Sequence, residues 1–564
     1  MKVSFRRNVT FPQLAWIAEV DRANQIVSAH FGDSVECGRD FIVAGVWNGP
    51  FGTGDFATTD CFFGTGFVVR EDCVIFVPSG GIIDPIYYSE SRARLVATNS
   101  LPLLLAAIDD QLDPQFAYYD RITDSIQAGI DAYEQSIPTE RGQVLWVFFR
   151  NLKVMSARIE QTDKRRPPAF RDYASYLRYL TANYANIYDN IRDPNRRHRL
   201  DIVSTQSRGY DTTAVNTIAS KYEIDNVFTV AEAKENGAFV GTTAPSLGID
   251  DGSNICEALG LKATRLDRHV FTRSFSDEYL FYSAAHQALG AGLLGMKSHL
   301  RRVSVMLTGL KGDVVWATDK YYGSRPELLM GCQEDRKAAY PGRTAVCPEL
   351  LTDDLRGPDT WLQGLSELCL EWGLIQFAPA FIGSRNRPDI FRITMSEEME
   401  PWRLGNEYDR PIARRIAEEI GGIPRNYFGY HKMAIATEFP WPPVPIGSKL
   451  RREYFRFLRE HHITSLFWSF AYQLVHRINA RVVFHTPHRY RYIYYIRRLL
   501  SKLVRRNIEI PILYRHLNGR LYCFCANKRA KEYAEVLRGA GFGGQNPCIT
   551  GAPGSEIISS QTAP

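Results

Sequence analysis

The sequence has no uninterrupted apolar run of about 18 residues, the length a membrane-spanning helix needs. The nearest approach, Ile463 to Val475, is too short and too polar. The opening stretch, MKVSFRRNVTFPQLAWIAEV, carries two early arginines but no continuous apolar h-region, so a secretory signal is not expected. Cysteine is sparse, with ten in 564 residues and none at metal-ligand spacing. Cys523 and Cys525 form a lone C-x-C, too little for a disulfide framework or a chelate. Reduced thiols and a cytoplasmic location are the expectation. Internal repeats and heptads are also missing, which removes solenoids and coiled coils.

What is present is ordinary globular material. Hydrophobic residues make up 45% and charged residues 23%, so a largely disordered chain is excluded. The length suits roughly three domains. A formal net charge of +6 conceals an asymmetry. Between Lys449 and Arg538, 20 Lys or Arg stand against 5 Asp or Glu, whereas the rest carries 48 basic and 57 acidic residues. The chain is a mildly acidic body with a strongly basic C-terminal segment.

Residues 1 to about 160 read as β-rich. Phe67–Arg70, Val74–Val77 and Arg94–Ala97 are short strands, with helices expected over Leu101–Ala107 and Asp120–Tyr133. The charged, proline-bearing stretch Gln161–Pro168 resembles a linker. From about 170 to 445 strands and helices alternate. Helices are expected at Tyr173–Ile191, Asp211–Lys221, Ser253–Leu259 and Tyr279–Leu300, and strands at Leu200–Ser204, Val227–Val230 and Val303–Leu307. That alternation predicts a mostly parallel, doubly wound sheet. A proline-rich linker, Pro440–Pro445, precedes the basic segment, and the Gly-, Ser- and Pro-rich end reads as a mobile tail.

The stretch with the most chemistry is Ser207-Arg208-Gly209-Tyr210-Asp211-Thr212-Thr213, between an apolar strand and a helix. Such a turn offers free backbone N–H groups at the positive end of a helix, which suits a phosphate. Gly209 allows close approach of the backbone; Ser207, Thr212 and Thr213 bring hydroxyls; Asp211 can ligate a hard cation. The plain alternative is an Asp near a helix start with polar neighbours.

This loop resembles the S-G-G-x-D-S pyrophosphate loop of the asparagine synthetase-like ATP pyrophosphatases, which include the β-lactam synthetases. Further stretches resemble that family in the same order. Asp250-Asp251 precedes Ser253–Leu261; Thr308-Gly309-Leu310-Lys311-Gly312-Asp313 follows a strand; Tyr408-Asp409-Arg410-Pro411-Ile412 runs toward Gly429-Tyr430-His431-Lys432. Upstream, Gly64–Val69, Asp84–Tyr88 and Leu95–Leu101 resemble the glutaminase half of asparagine synthetases.

The resemblance implies an α/β protein of four parts. These are an N-terminal Ntn-hydrolase-like β-sandwich over 1–165, acting as a degenerate glutaminase-like domain, and a Rossmann-like (adenine nucleotide α-hydrolase) synthetase domain over 166–445. A basic, mostly helical C-terminal segment over 446–540 and a flexible tail over 541–564 follow. It implies that Ser207, Arg208, Gly209, Asp211, Thr212, Thr213 and Gly309 bind ATP, that Asp211 and Asp313 hold Mg²⁺, and that Lys432 is catalytic. The implied reaction is adenylation of a carboxylate substrate, followed by transfer to an amine acceptor.

Departures from the family pattern narrow this. Position 2 is Lys2 rather than a nucleophilic cysteine, and Cys37 is the nearest thiol, so glutamine hydrolysis is not expected. The family's arginine-bearing glutamine-binding motif is not recognisable, and Trp47-Asn48-Gly49 is the sole echo of its asparagine-glycine motif. Arg208 replaces a loop glycine. Leu310, which cannot accept a proton, stands where the family carries Glu or Tyr; Glu397, Glu398 and Glu400 are alternative bases. A non-catalytic descendant and an adenylating enzyme acting on RNA stay open beside the ligase. In the basic segment, arginines and tyrosines interleave from Arg477 to Arg506, which suits either an anionic partner or an amphipathic helix packed on the body.

Overall fold

A computed structural model of the chain describes residues 1–91, 93–230, 250–266, 277–284, 291–318, 352–357, 361–405, 408–428, 445, 447–465, 515–542 and 557–558. The described residues form a mixed α/β structure with three sheets. Up to residue 162 the strands are β1 (Lys2–Arg7), β2 (Trp16–Asp21), β3 (Ile26–Phe31), β4 (Glu36–Cys37), β5 (Phe41–Trp47), β6 (Phe62–Val69) and β7 (Cys73–Val77). They continue with β8 (Ile86–Glu90), β9 (Arg94–Thr98), β10 (Ser136–Pro138), β11 (Gln143–Val147), β12 (Asn151–Met155) and β13 (Ile159–Thr162).

One sheet runs β10-β11-β8-β9-β2-β3-β1 and is extended by β19 (Ile557–Ile558), which pairs antiparallel with β1. The second runs β13-β12-β7-β6-β5-β4. Their apolar faces meet. The buried Trp16 ring of the first sheet lies 5.4 Å from Phe67 and 6.1 Å from Phe76 of the second, and its indole N–H donates to Thr65 Oγ1. Aromatic pairs of this kind stabilise a core beyond their area burial. Of the stretch read as a tail, 541–542 and 557–558 are described; β19 pairs Ile557 with Arg6 and Ile558 with Phe5.

The third sheet is all parallel: β14 (Asp201–Thr205), β15 (Asn226–Val230), β16 (Ala263–Leu266), β17 (Ser304–Leu307) and β18 (Leu374–Phe377), in the order β16-β15-β14-β17-β18. The order reverses direction between β14 and β17, and in open parallel sheets the loops leaving the carboxyl ends of two such strands frame a crevice. This sheet packs on the sandwich through Phe377, whose ring lies 4.5 Å from Phe63 and 5.5 Å from Tyr184. Tyr184 belongs to the helix Tyr173–Ile191, which starts at a capping box: Ser175 N–H donates to Asp172 Oδ1 and Ser175 Oγ accepts from Asp172 N–H.

Two expectations need correction. The helix expected over Asp120–Tyr133 spans only Tyr119–Asp124 and a 3₁₀ turn, because Gly129 at φ +97° turns the chain away. Of the helix expected over Tyr279–Leu300, the described residues form a short helix, Glu278–Tyr282, and a 3₁₀ stretch, Ala291–His299, with 285–290 outside the described residues. The described end of the basic segment packs into the body. The helix Arg515–Ala540 buries Leu521, Tyr522, Cys523, Cys525, Ala526 and Tyr533. Asn527 bonds both ways with the Leu112 backbone, at 2.8 and 2.9 Å. Cys523 and Cys525 are packing residues, their thiols pushed up by burial. Arg477 to Arg506 lies outside the described residues. Among the described residues no helix is long and apolar enough to cross a membrane.

Asp84 lines a small cavity of about 30 Å³ between β6 and β18 together with Cys369 and Gln376, and burial pushes its carboxyl up to about 7. The folded chain therefore binds this proton more tightly than the unfolded chain. Through this group, stability is fully present below the unfolded value near 3.8 and falls, by up to about 1.4 kcal/mol per pH unit, as pH rises toward 7. Asp84→Asn is expected to melt like the parent at pH 4 and above it at pH 8. Contributions from other shifted groups, such as His30 (pushed down to about 4) and Asp60 (pushed up to about 6), cancel in that comparison. Equal melting differences at both pH values would show that Asp84 does not titrate in this way.

Candidate functional site

At the carboxyl end of β14 the chain turns through Gln206–Gly209 into the helix Tyr210–Ala219. The turn is held from inside. Gln206, buried and not singled out from sequence, donates from Nε2 to Thr213 Oγ1 (2.9 Å) and accepts from Asn216 Nδ2 (2.7 Å), while its backbone N–H reaches Phe228 O. Thr213 Oγ1 donates in turn to Gly209 O at 2.8 Å. Ser207 N–H donates to Thr212 Oγ1, and Ser207 Oγ accepts from Gly209 N–H. The three hydroxyls thus shape the loop. What the loop presents beyond itself is backbone at the start of a ten-residue helix, the favourable end for an anion.

Arg208 is fixed at two points: its backbone N–H donates to Asp250 Oδ1 (2.9 Å) and its Nε to Tyr427 O (3.1 Å). The acidic pair therefore flanks the loop, with Asp250 on Arg208 and Asp251 capping Ser253. Gly209 permits another approach, since a Cβ there would lie 3.2 Å from the Tyr408 hydroxyl.

The loop after β17 lies directly against this one. A Cβ on Gly309 would sit 2.7 Å from Thr212 N and 2.9 Å from Asp211 C, and one on Gly312 would sit 2.8 Å from Asp211 Cβ. Only glycine lets the two loops touch. Lys311, between them, is held at φ +68° with its ammonium turned inward to the carbonyls of Leu355, Arg356 and Gly357. Gly309→Ala is accordingly expected to cost about 1–3 kcal/mol by overpacking against backbone that cannot yield. A thermal midpoint equal to the parent's would contradict the close approach.

Asp211 and Asp313, one from each loop, meet at a common partner that the sequence did not reveal. Arg410 places Nη1 3.3 Å from Asp211 Oδ2 and Nη2 3.7 Å from Asp313 Oδ2. Its side chain is 2% exposed and its guanidinium lies 4.6 Å from the Tyr408 ring centroid. Next to it the Arg414 guanidinium lies 4.7 Å from the Tyr210 ring centroid, and the Phe428 ring packs against the same Tyr210 ring at 4.7 Å. Lys432 lies outside the described residues, shortly after Phe428 reaches the loop. Of the alternative bases, Glu398 is occupied at the start of Tyr173–Ile191, accepting from Tyr173 N–H. Leu310 packs against the core.

Mg²⁺ requires near-octahedral oxygen ligands at about 2.0–2.1 Å. The two facing carboxylate oxygens already share a guanidinium, and among the described residues no group of three or more His, Cys, Asp or Glu is placed to hold a metal. As arranged, this donor set does not fit Mg²⁺ between Asp211 and Asp313.

The crevice is therefore of the kind that open parallel α/β sheets form where their strand order reverses, built from a helix start and two apposed loops. No protein-family profile matches the chain, and no curated protein does. Among solved structures, the U34-tRNA thiolase NcsA from Methanococcus maripaludis with its [4Fe-4S] cluster aligns over 57% of this chain and 85% of that one. The identity is 11% and the TM-score 0.20, a likeness too loose to bear on fold or activity.

Proposed function

We propose that the protein is an asparagine synthetase-like, ATP-dependent, AMP-forming amide ligase that does not hydrolyse glutamine itself. The observation that carries this is the meeting of Ser207–Thr213 with Gly309–Asp313 at the reversal of a 3-2-1-4-5 parallel sheet, in contact permitted by glycine. The motif order along the chain supports the same function. Residues 1–165, 166–445, 446–540 and 541–564 are its proposed parts, with the last helix of the basic segment built into the body.

In the proposed reaction a carboxylate oxygen of the acyl substrate bonds to the α-phosphorus of ATP as the bond to pyrophosphate breaks. The amine nitrogen then bonds to the acyl carbon, AMP departs with the acyl oxygen, and the amine proton passes to water, since Leu310 offers no base. Backbone N–H groups at the start of Tyr210–Ala219 face developing phosphate charge. Gln206, Ser207, Thr212 and Thr213 hold that backbone in place. Lys432 is the proposed cation for pyrophosphate. The basic segment's proposed partner is anionic.

The test is release of AMP and pyrophosphate from α-labelled ATP in the presence of pooled carboxylic acids and amines. Lys432→Met is expected to lower the rate by on the order of a hundredfold or more. Equal rates in parent and variant would place any activity elsewhere. The Arg410 ion pairs and Leu310 favour one other function, a nucleotide-binding descendant without turnover; ATP binding with no AMP formed under any substrate pool would select it.

A further inference from the structure

We infer that Arg410 is the resident counter-cation of the crevice, so that the two loops are assembled by a guanidinium where a divalent cation would otherwise join Asp211 to Asp313. Two carboxylates brought together from loops about a hundred residues apart in sequence repel each other, and burial strengthens that repulsion. A cation between them is needed for the loops to close. Arg410 satisfies that need without leaving the chain: it is buried, carries one nitrogen toward each carboxylate, and is braced by the Tyr408 ring. A guanidinium keeps its charge at any working pH and presents a planar fork, which suits two acceptors at once.

Its position is set by neighbours that leave it little freedom. Pro411 follows and opens the helix Pro411–Arg415. Asp409, just before it, accepts from Leu404 and Gly405 N–H at 3.0 and 2.9 Å, and its own carbonyl accepts from Thr318 N–H. The segment is therefore anchored on both sides of Arg410. The net charge of the triad is −1, so an anionic ligand meets the backbone N–H groups and Arg208 rather than a bound metal. This last consequence rests on the nucleotide function proposed above; the exclusion of metal does not.

Mn²⁺ binding, followed by the loss of free-ion electron paramagnetic resonance signal, tests the metal arm directly. The parent protein is expected to show no Mn²⁺ site that Asp211→Asn removes. Arg410→Met leaves the two carboxylates facing each other and is expected to gain on the order of tenfold or more in Mn²⁺ affinity, a gain lost on adding Asp313→Asn. Arg410→Gln serves where the Met variant does not fold, and if neither folds the parent against Asp211→Asn decides alone. A parent site for Mn²⁺ that depends on either aspartate overturns the inference.

Titration with α-labelled ATP in EDTA and in excess Mg²⁺ tests the ligand arm. The parent's affinity is expected to differ less than about threefold between the two, because the triphosphate is not bridged to these carboxylates by metal. A strict Mg²⁺ requirement overturns the inference. Failure of ATP to bind under both conditions defeats the nucleotide function while leaving the Mn²⁺ result to judge Arg410.

Discussion

Removal of residues 515–564 is expected to abolish cooperative unfolding rather than to trim a basic extension. The helix Arg515–Ala540 lies against the helix Leu101–Ala107, with Leu521, Tyr522, Tyr533 and Leu537 at 4% exposure or less. Burying a large apolar side chain contributes about 1.5–3 kcal/mol, so four of them amount to roughly the net stability of a whole domain, about 5–15 kcal/mol. Polar groups would also lose their partners. Glu367 is buried and accepts from Ser100 Oγ (2.5 Å) and Tyr533 OH (3.1 Å), with Arg529 at 3.8 Å. Without the helix that carboxylate keeps one of three partners. Circular dichroism melting together with dye binding to exposed apolar surface reads the outcome. A truncated chain that melts sharply at the parent's temperature would show that the helix is dispensable.

The second large effect is expected at Arg196. Its side chain is 2% exposed and pairs with Glu36, 5% exposed, across the boundary between the sandwich and the chain leaving Tyr173–Ile191. Arg196 also donates to Asn190 O (2.7 Å) and Gly45 O (3.1 Å), and its guanidinium lies 4.5 Å from the Phe51 ring centroid. Arg196→Met strands a buried carboxylate and is expected to cost about 3–5 kcal/mol, since the other charge stays desolvated. The double variant Arg196→Met, Glu36→Gln is expected to recover part of that loss, because the unpaired charge is gone. Chemical denaturation of the single and double variants measures both. A single variant within 1 kcal/mol of the parent, on the scale of about 0–1 kcal/mol typical of exposed pairs, would contradict the burial argument.

The parallel sheet and its two loops were legible in the sequence because their signals are local. Apolar strands, glycine turns and an acidic residue at a helix start all fall within a few positions of each other, as at Ser204–Asp211 and Leu307–Asp313. Arg410 was not legible, although Tyr408–Ile412 was noticed. Its partners lie far away in sequence, and an arginine before a proline reads as an ordinary helix start. Gln206 was hidden for a different reason: its work is done by contacts inside the turn, which residue type alone does not announce. The packing of the C-terminal helix is hidden for a third reason: Arg520, Lys528, Arg529 and Lys531 set the charge of the segment, while Leu521, Tyr522, Cys523, Cys525, Ala526 and Tyr533 on the same helix are buried. In the sandwich, β1, β2, β3 and β5 carry alternating or continuous apolar residues, a pattern that marks strands but names no chemistry.

The central claim is that the crevice between Ser207–Thr213 and Gly309–Asp313 is a nucleotide site, and covalent labelling with a photoreactive ATP analogue tests it most directly. Labelled peptides are expected to come from 206–219 and 308–316, with labelling suppressed by excess ATP and lost in Gly309→Ala. Labelling confined to other peptides, or indifferent to ATP, would contradict the claim whatever activity the protein proves to have.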